Sequence, residues 1–200
     1  MNFHSWRESI DSPRPQRSAP AATVIVHATI TLDGFLADPD GGVDWMFGRP
    51  SAPEDDSVVE RVMGRIGAIV GGANRSQTIE NDELPYGGML KVPVYLMTHR
   101  AHEPIERDGT TYTLVVDDIR EAVELASRSA GDGWVSLLGG SISRQCLRLG
   151  LVDELHLDIA PALLGDGISL FAGLGQRVEL ERLDTSAYAS ETHLRYRVLR

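Results

Sequence analysis

Two hundred residues make a single domain's worth of chain, enough to bury a sizeable core without a covalent staple. Acidic residues outnumber basic ones 29 to 19, a net charge of −10, which argues against a nucleic-acid partner or a membrane surface, since both call for a basic face. The lone Cys146 excludes an internal disulfide and a thiolate-rich metal site, and no apolar run is long enough to span a bilayer, so a soluble cytoplasmic protein is the expectation.

Residues 1–22 hold three prolines and no sustained hydrophobic period, which reads as a mobile N-terminal extension. From Thr23, Val24, Val26, Ala28 and Ile30 alternate with Ile25, His27, Thr29 and Thr31, a strand that Asp33-Gly34 turns. Val59, Val62, Met63 and Ile66 share one face of a helix over 54–66, and 68–70 follows as a short buried strand. Segments 93–98 and 112–116 read as two more strands, the second running into Asp117-Asp118, a helix cap for the face made by Ile119, Ala122, Val123 and Ala126.

The run from Trp134 to Phe171 is the most telling. Val135 to Leu138 is a buried strand, Gly139-Gly140 turns the chain with no Cβ in the way, and Ser141 is placed to cap a helix with Ile142, Cys146 and Leu149 along one stripe. The free N–H groups of such a helix start face the glycines and form an anion cradle. In the next strand Leu155, Leu157 and Ile159 face one way, His156 and Asp158 the other. Segments 178–183 and 192–199 close the chain as an antiparallel pair. Alternating strands and helices predict a mainly parallel sheet with an antiparallel edge. Ligands of such sheets bind beyond the carboxyl ends of the strands, where the loops at Gly71, Thr98 and Gly139 fall.

Four blocks, at 28–45, 93–100, 137–155 and 159–171, carry a resemblance. Together they resemble the C-terminal reductase domain of the bifunctional riboflavin-biosynthesis enzymes and the wider dihydrofolate-reductase-like family. The resemblance implies a three-layer α/β domain over residues 23–200, with a mainly parallel mixed sheet, antiparallel C-terminal strands and helices on both faces. It also implies a homodimer, a small-molecule substrate and NADPH as cofactor, with NADH as the alternative. The zinc deaminase domain of the bifunctional enzymes needs more cysteines than this chain has, so a stand-alone reductase domain is expected.

For the cofactor, the resemblance points to Gly139, Gly140, Ser141 and Ile142 at the pyrophosphate, to Thr98, His99 and Arg100 at the 2′-phosphate, and to Ala28 and Gly71 beside them. A second phosphate contact in the family follows the preceding strand in a pattern like Gly-Arg-Arg-Thr. Here the stretch is Gly71-Gly72-Ala73-Asn74-Arg75-Ser76, so the positive charge has moved to Arg75. On the substrate side, Asp33 is the expected catalytic group, able to hydrogen-bond a pterin or pyrimidine or to help move the proton that accompanies hydride; an Asp-Gly turn is its structural alternative. His27 and Trp45 are the further substrate candidates, against a structural histidine and a hydrophobic anchor. The activity so implied is hydride transfer from NADPH to a C=N or C=O bond of a small, flat, polar molecule. Two alternatives stand beside it: 5-amino-6-(5-phosphoribosylamino)uracil reductase of riboflavin biosynthesis, and a nucleotide-binding protein without catalysis.

Overall fold

The computed structural model describes residues 22–47, 52–72, 85–100, 103–188 and 190–200. Residues 1–21 of the expected extension, and the candidate phosphate contact Arg75, lie outside the described residues. Ala22, the last residue of the expected extension, is buried in the main core.

Strand β1 (Thr23–Thr31) runs through the middle of a nine-stranded sheet, between β7 (Trp134–Leu137) and β8 (Glu154–Ala160), parallel to both. Beyond β7 come β3 (Ile66–Gly72), β4 (Val94–Thr98) and β6 (Thr110–Val116), also parallel. Both edges are antiparallel. On one side lie β11 (Thr192–Val198) and β10 (Leu180–Ala187); on the other, β5 (Ile105–Arg107) forms a hairpin with β6 through the two-residue turn Asp108-Gly109, both at positive φ. A central parallel strand is covered on both faces, which is why β1 and β8 carry almost no exposed residue.

The two faces differ in chemistry. One is apolar: Val24, Val26, Val70, Val135, Leu137, Leu155 and Leu157 pack under α2 (Ile119–Ala130) and α3 (Gly140–Arg148). Helix α2 matches the sequence closely. Asp118 caps it by accepting from the N–H groups of Arg120 and Glu121, and its four buried residues are the four expected. Helix α3 differs at both ends: Gly139, at φ 86°, precedes it, Gly140 already belongs to it, and Ser141 makes no cap. Its buried face is Ile142, Ser143, Cys146 and Leu147, while Leu149 stands 39% exposed because the helix stops at Arg148.

Helix α1 (Pro53–Met63) lies on the opposite face and ends before the expected limit, so that Ile66 opens β3 instead. Its one buried residue is not an aliphatic but Asp55, whose carboxylate also accepts from the Ala52 N–H at 3.2 Å. A small sheet of β2 (Phe35–Ala37) and β9 (Ile168–Ser169) covers the start of α3, held by Arg144, whose Nη1 donates to the carbonyls of Ser169 (2.7 Å) and Leu170 (3.2 Å). Among the described residues no helix is long and apolar enough to cross a membrane.

Candidate active site

The carboxyl ends of β1, β7, β3 and β4 fall along one edge of the sheet, with Gly71, Thr98, His99, Arg100 and the segment Gly139 to Ile142 along it. Gly139 is exposed, and no atom lies within 4 Å of the place a Cβ would take. The N–H groups of Gly140, Ser141 and Ile142 find no backbone acceptor among the described residues, as at any helix start, and such a group of donors suits an anion. Gly72 lies against this turn, since a Cβ there would stand 3.7 Å from Ile142 Cγ1, and Gly71 packs beside Leu96 and Leu138. Gly140 has a different reason to be glycine. A Cβ would sit 2.7 Å from the Ser169 carbonyl oxygen, so replacing Gly140 would disturb β9 whether or not a ligand binds.

Two strands further along, Thr98 closes β4. Its Oγ1 accepts from the Arg100 N–H at 3.2 Å, and the exposed His99 ring meets Asp117 at 2.5 Å. Arg100 has no carboxylate partner among the described residues. Neighbouring strands lie about 4.8 Å apart, so roughly 10 Å separates the β7 and β4 ends of this edge. Ala28 is half-buried within β1, and Trp45 is half-buried in a 3₁₀ turn, Asp44–Met46.

Asp33 stands at the same edge but is committed to hydrogen bonds with Thr31 and with the β8–β9 loop. Its carboxylate accepts from the Thr31 hydroxyl at 2.5 Å and from the N–H groups of Leu164 (3.2 Å) and Gly165 (2.8 Å). The Thr31 hydrogen bond, with help from these amides, holds its carboxyl below the usual carboxylate range. A carboxylate so engaged straps the β8–β9 loop to the end of β1; as an acid at neutral pH it has no proton to give.

His27 points to the polar face and belongs to a chain of side chains that crosses it. His27 Nδ1 meets the Tyr86 hydroxyl at 3.1 Å, that hydroxyl meets Ser136 Oγ at 2.8 Å, and the Tyr86 ring stacks on the imidazole at 5.7 Å. His27 Nε2 meets Asp158 Oδ2 at 3.2 Å, Asp158 Oδ1 meets His193 Nδ1 at 2.6 Å, and His193 Nε2 meets Asp55 Oδ1 at 2.9 Å. Ser190 closes the chain by donating to Asp55 Oδ2 at 2.5 Å. The four central residues are 8%, 4%, 6% and 3% exposed in that order.

Burial pushes the Asp158 carboxyl up, yet the hydrogen bonds from His193 and His27 outweigh it and pull it down to about 2. The same bond to Asp158 raises His193 against its burial, and Asp55 raises it further. Asp55 is lowered despite its own desolvation, by Ser190 and His193. Asp158, Glu191 and His193 bring ligand atoms within 4.8 Å of one another, a spacing a metal ion can use. Both His193 nitrogens and both Asp158 oxygens are already hydrogen-bonded, however, so protons satisfy this group as it stands.

A cleft of about 330 Å³ opens between α1 and strands β8, β10 and β11, with Arg61, Arg65, Trp134, His156, Asp158 and His193 among its lining. It lies toward the amino ends of β7 and β8, away from Gly139. There Glu154 accepts from His156 at 2.9 Å and from both nitrogens of the Arg195 fork, while Arg65 sits 4.7 Å from the Trp134 ring.

Sequence reasoning found His27 but not its partners Tyr86, Asp158, His193 and Asp55. The available signal was polar residues placed on central strands that need both faces buried.

The model of the RibD C-terminal domain family matches residues 22–194. Bacillus subtilis YyaP, an uncharacterized protein, is 29% identical over 181 residues, covering 84% of this chain and 89% of YyaP. Among solved structures, a protein named for riboflavin biosynthesis from Shewanella sp. PV-4 superposes with a TM-score of 0.74 at 23% identity, over 89% of this chain and 99% of that one. Dihydrofolate reductase from Enterococcus faecalis, complexed with NADP(H) and RAB-propyl, superposes with a TM-score of 0.60 at 13% identity, over 88% and 96%. The fold is that of the dihydrofolate-reductase-like reductases, and the chain belongs to the RibD C-terminal domain family.

Proposed function

We propose that this chain is an NADPH-dependent reductase that delivers hydride to a C=N or C=O bond of a small, flat, polar molecule. The observation that carries the reading is the α3 helix start: three N–H groups without a backbone acceptor among the described residues, beside an open Gly139, at the carboxyl edge of the sheet. A nicotinamide dinucleotide bound there supplies the hydride. Gly139, Gly140, Ser141 and Ile142 would take the pyrophosphate on their N–H groups. Thr98, His99 and Arg100, about 10 Å along the edge, would take the 2′-phosphate, with Arg75 as its second contact and with Ala28 and Gly71 beside the dinucleotide.

Trp45 and His27 belong to the substrate side in this reading. Asp33 serves it as the residue that fixes the β8–β9 loop at the mouth of the site. Family membership favours 5-amino-6-(5-phosphoribosylamino)uracil as the first substrate to try. A homodimer is the expected assembly. Non-catalytic nucleotide binding is the competing reading, favoured by the displacement of the second phosphate-binding arginine to Arg75.

A charge-assisted contact to phosphate contributes about 1.5–3 kcal/mol. Arg100→Ala should therefore weaken NADPH binding by about tenfold or more and leave NADH binding unchanged, as read by titration of nucleotide fluorescence. Equal losses for the two nucleotides would remove Arg100 from the 2′-phosphate.

A further inference from the structure

We propose that the cleft between α1 and strands β8, β10 and β11 is a second binding site, one that takes a small phosphate monoester on a cationic wall of Arg61, Arg65 and Arg195. Trp134, at the amino end of β7, lines it, whereas Gly139 follows the carboxyl end of the same strand. The cleft is therefore separate from the nucleotide edge, and the inference does not rest on the reductase reading.

The balance of charge is the first reason. In a chain of net charge −10, three arginines line one cleft of about 330 Å³, a volume within the range of small-molecule sites. Arg61 stands in the last turn of α1, where a cation complements the helix dipole. Arg65 lies beyond the helix cap Gly64 and is not explained that way. Neither meets a carboxylate among the described residues. Like charges that line one cleft repel each other, and a bound anion offsets that repulsion.

The second reason is that the guanidinium groups are held in place. The Arg65 guanidinium stands 4.7 Å from the centroid of the Trp134 ring, and that of Arg195 stands 5.8 Å from it. Trp134 is itself buried, with the His156 ring against it at 4.9 Å. Arg195 donates from Nε and Nη2 to Glu154, which fixes its plane and leaves Nη1 for another acceptor. Groups ordered before a ligand arrives lose less rotamer freedom on binding.

The lining also selects the ligand. Val58, Val62 and Leu194 give the cleft an aliphatic side suited to a short carbon body. A phosphate monoester carries about −1.5 to −2 charges at pH 7 and three acceptor oxygens, which match more than one planar guanidinium; a carboxylate, with a single charge, matches one. Asp158 does not compete for the arginines, because His27 and His193 already engage its two oxygens. Asp184, on β10, is the carboxylate that opposes an anion here.

The test is a titration of the full chain, with nitrogen-labelled tryptophan, by glycerol 3-phosphate at constant ionic strength. It is read on the indole N–H signal that Trp134→Phe removes; should that variant fail to fold, the displaced signal in Arg65→Ala identifies the same indole. The Trp134 signal should move saturably at millimolar probe. Arg61→Ala and Arg65→Ala should each weaken binding by about tenfold, Asp184→Asn should strengthen it, and Arg100→Ala, at the other end of the sheet, should leave it unchanged. No saturable movement, or wild-type binding in Arg61→Ala and Arg65→Ala, overturns the site. Acetate binding as tightly as glycerol 3-phosphate overturns the assignment to a phosphate. A signal that moves with protein concentration and not with the probe places a second copy of the chain in the cleft and overturns the proposal too. The titration uses neither NADPH nor turnover, so failure of the reductase reading leaves its result standing.

Discussion

The two faces of the central sheet differ in what they bury: one is apolar, and the other sets a chain of polar side chains beside a smaller apolar cluster of Ile66, Ile69, Val94, Leu96 and Tyr112. Under α2 and α3, aliphatic side chains from β1, β3, β7 and β8 close into one apolar cluster, and stability there scales with the area removed from water. Under α1 the same strands present His27, Ser136, His156 and Asp158, and burial is tolerable only because each polar atom meets a partner. The apolar face can relax around a change. The polar face cannot, because removing one member leaves its neighbours desolvated and unpaired.

The sharpest way to break this contrast is to delete one residue from each face. Asp158→Ala strands His27 and His193 together and should cost about 3–5 kcal/mol. Leu137→Ala, at the centre of the apolar cluster, should cost about 2–5 kcal/mol, depending on how far the site collapses. Urea unfolding of both variants makes the comparison. A loss under 1 kcal/mol for Asp158→Ala would mean that the polar chain is hydrated rather than buried.

A pH series sharpens the contrast further. His193 is raised in the folded chain, so its contribution is full below its ordinary value of about 6.5 and is lost as pH rises through the raised value. Asp158 is lowered to about 2, so its contribution is full above the ordinary carboxylate value and lost only as pH falls toward 2. His156 works against His193: burial lowers it, so it costs stability as pH falls below the ordinary histidine value. The difference between wild type and His193→Asn separates the two histidines. It should be largest below about pH 6.5 and shrink in alkali; a difference that grows with pH would contradict the doubly bonded His193.

A smaller effect is expected at the edge where the faces meet. Asp33→Asn loosens the strap on Leu164 and Gly165. It should lower turnover by about tenfold or less, the scale of one hydrogen bond, with cofactor affinity nearly intact. Unchanged turnover would confine Asp33 to the turn.

The difference between the faces also explains what could be read from sequence. Ile119, Ala122, Val123 and Ala126 announce α2 because helical spacing and an Asp118 cap point to the same element. Strands β1 and β8 are equally plain. Helix α1 is legible as a helix but not in its length, and on the face that Val59, Val62 and Met63 mark, and half-bury, the one fully buried residue is Asp55. The glycine-rich edge at Gly139 was legible because its chemistry is local. The chain from Tyr86 to Asp55 was not, because its members come from five separate segments and none follows another at a telling interval. Only register brings them together: His27 pairs with His156 across β1 and β8, and Asp158 with His193 across β8 and β11.

Thermal unfolding with saturating NADPH, with NADH and without ligand tests the central claim most directly. A nucleotide at a hundred times its dissociation constant adds about 2.7 kcal/mol, which should raise the melting temperature by roughly 5–10 °C. The account predicts a rise with both nucleotides, larger with NADPH. No rise with either would contradict it, because the open helix start beside Gly139 would then hold no nicotinamide dinucleotide.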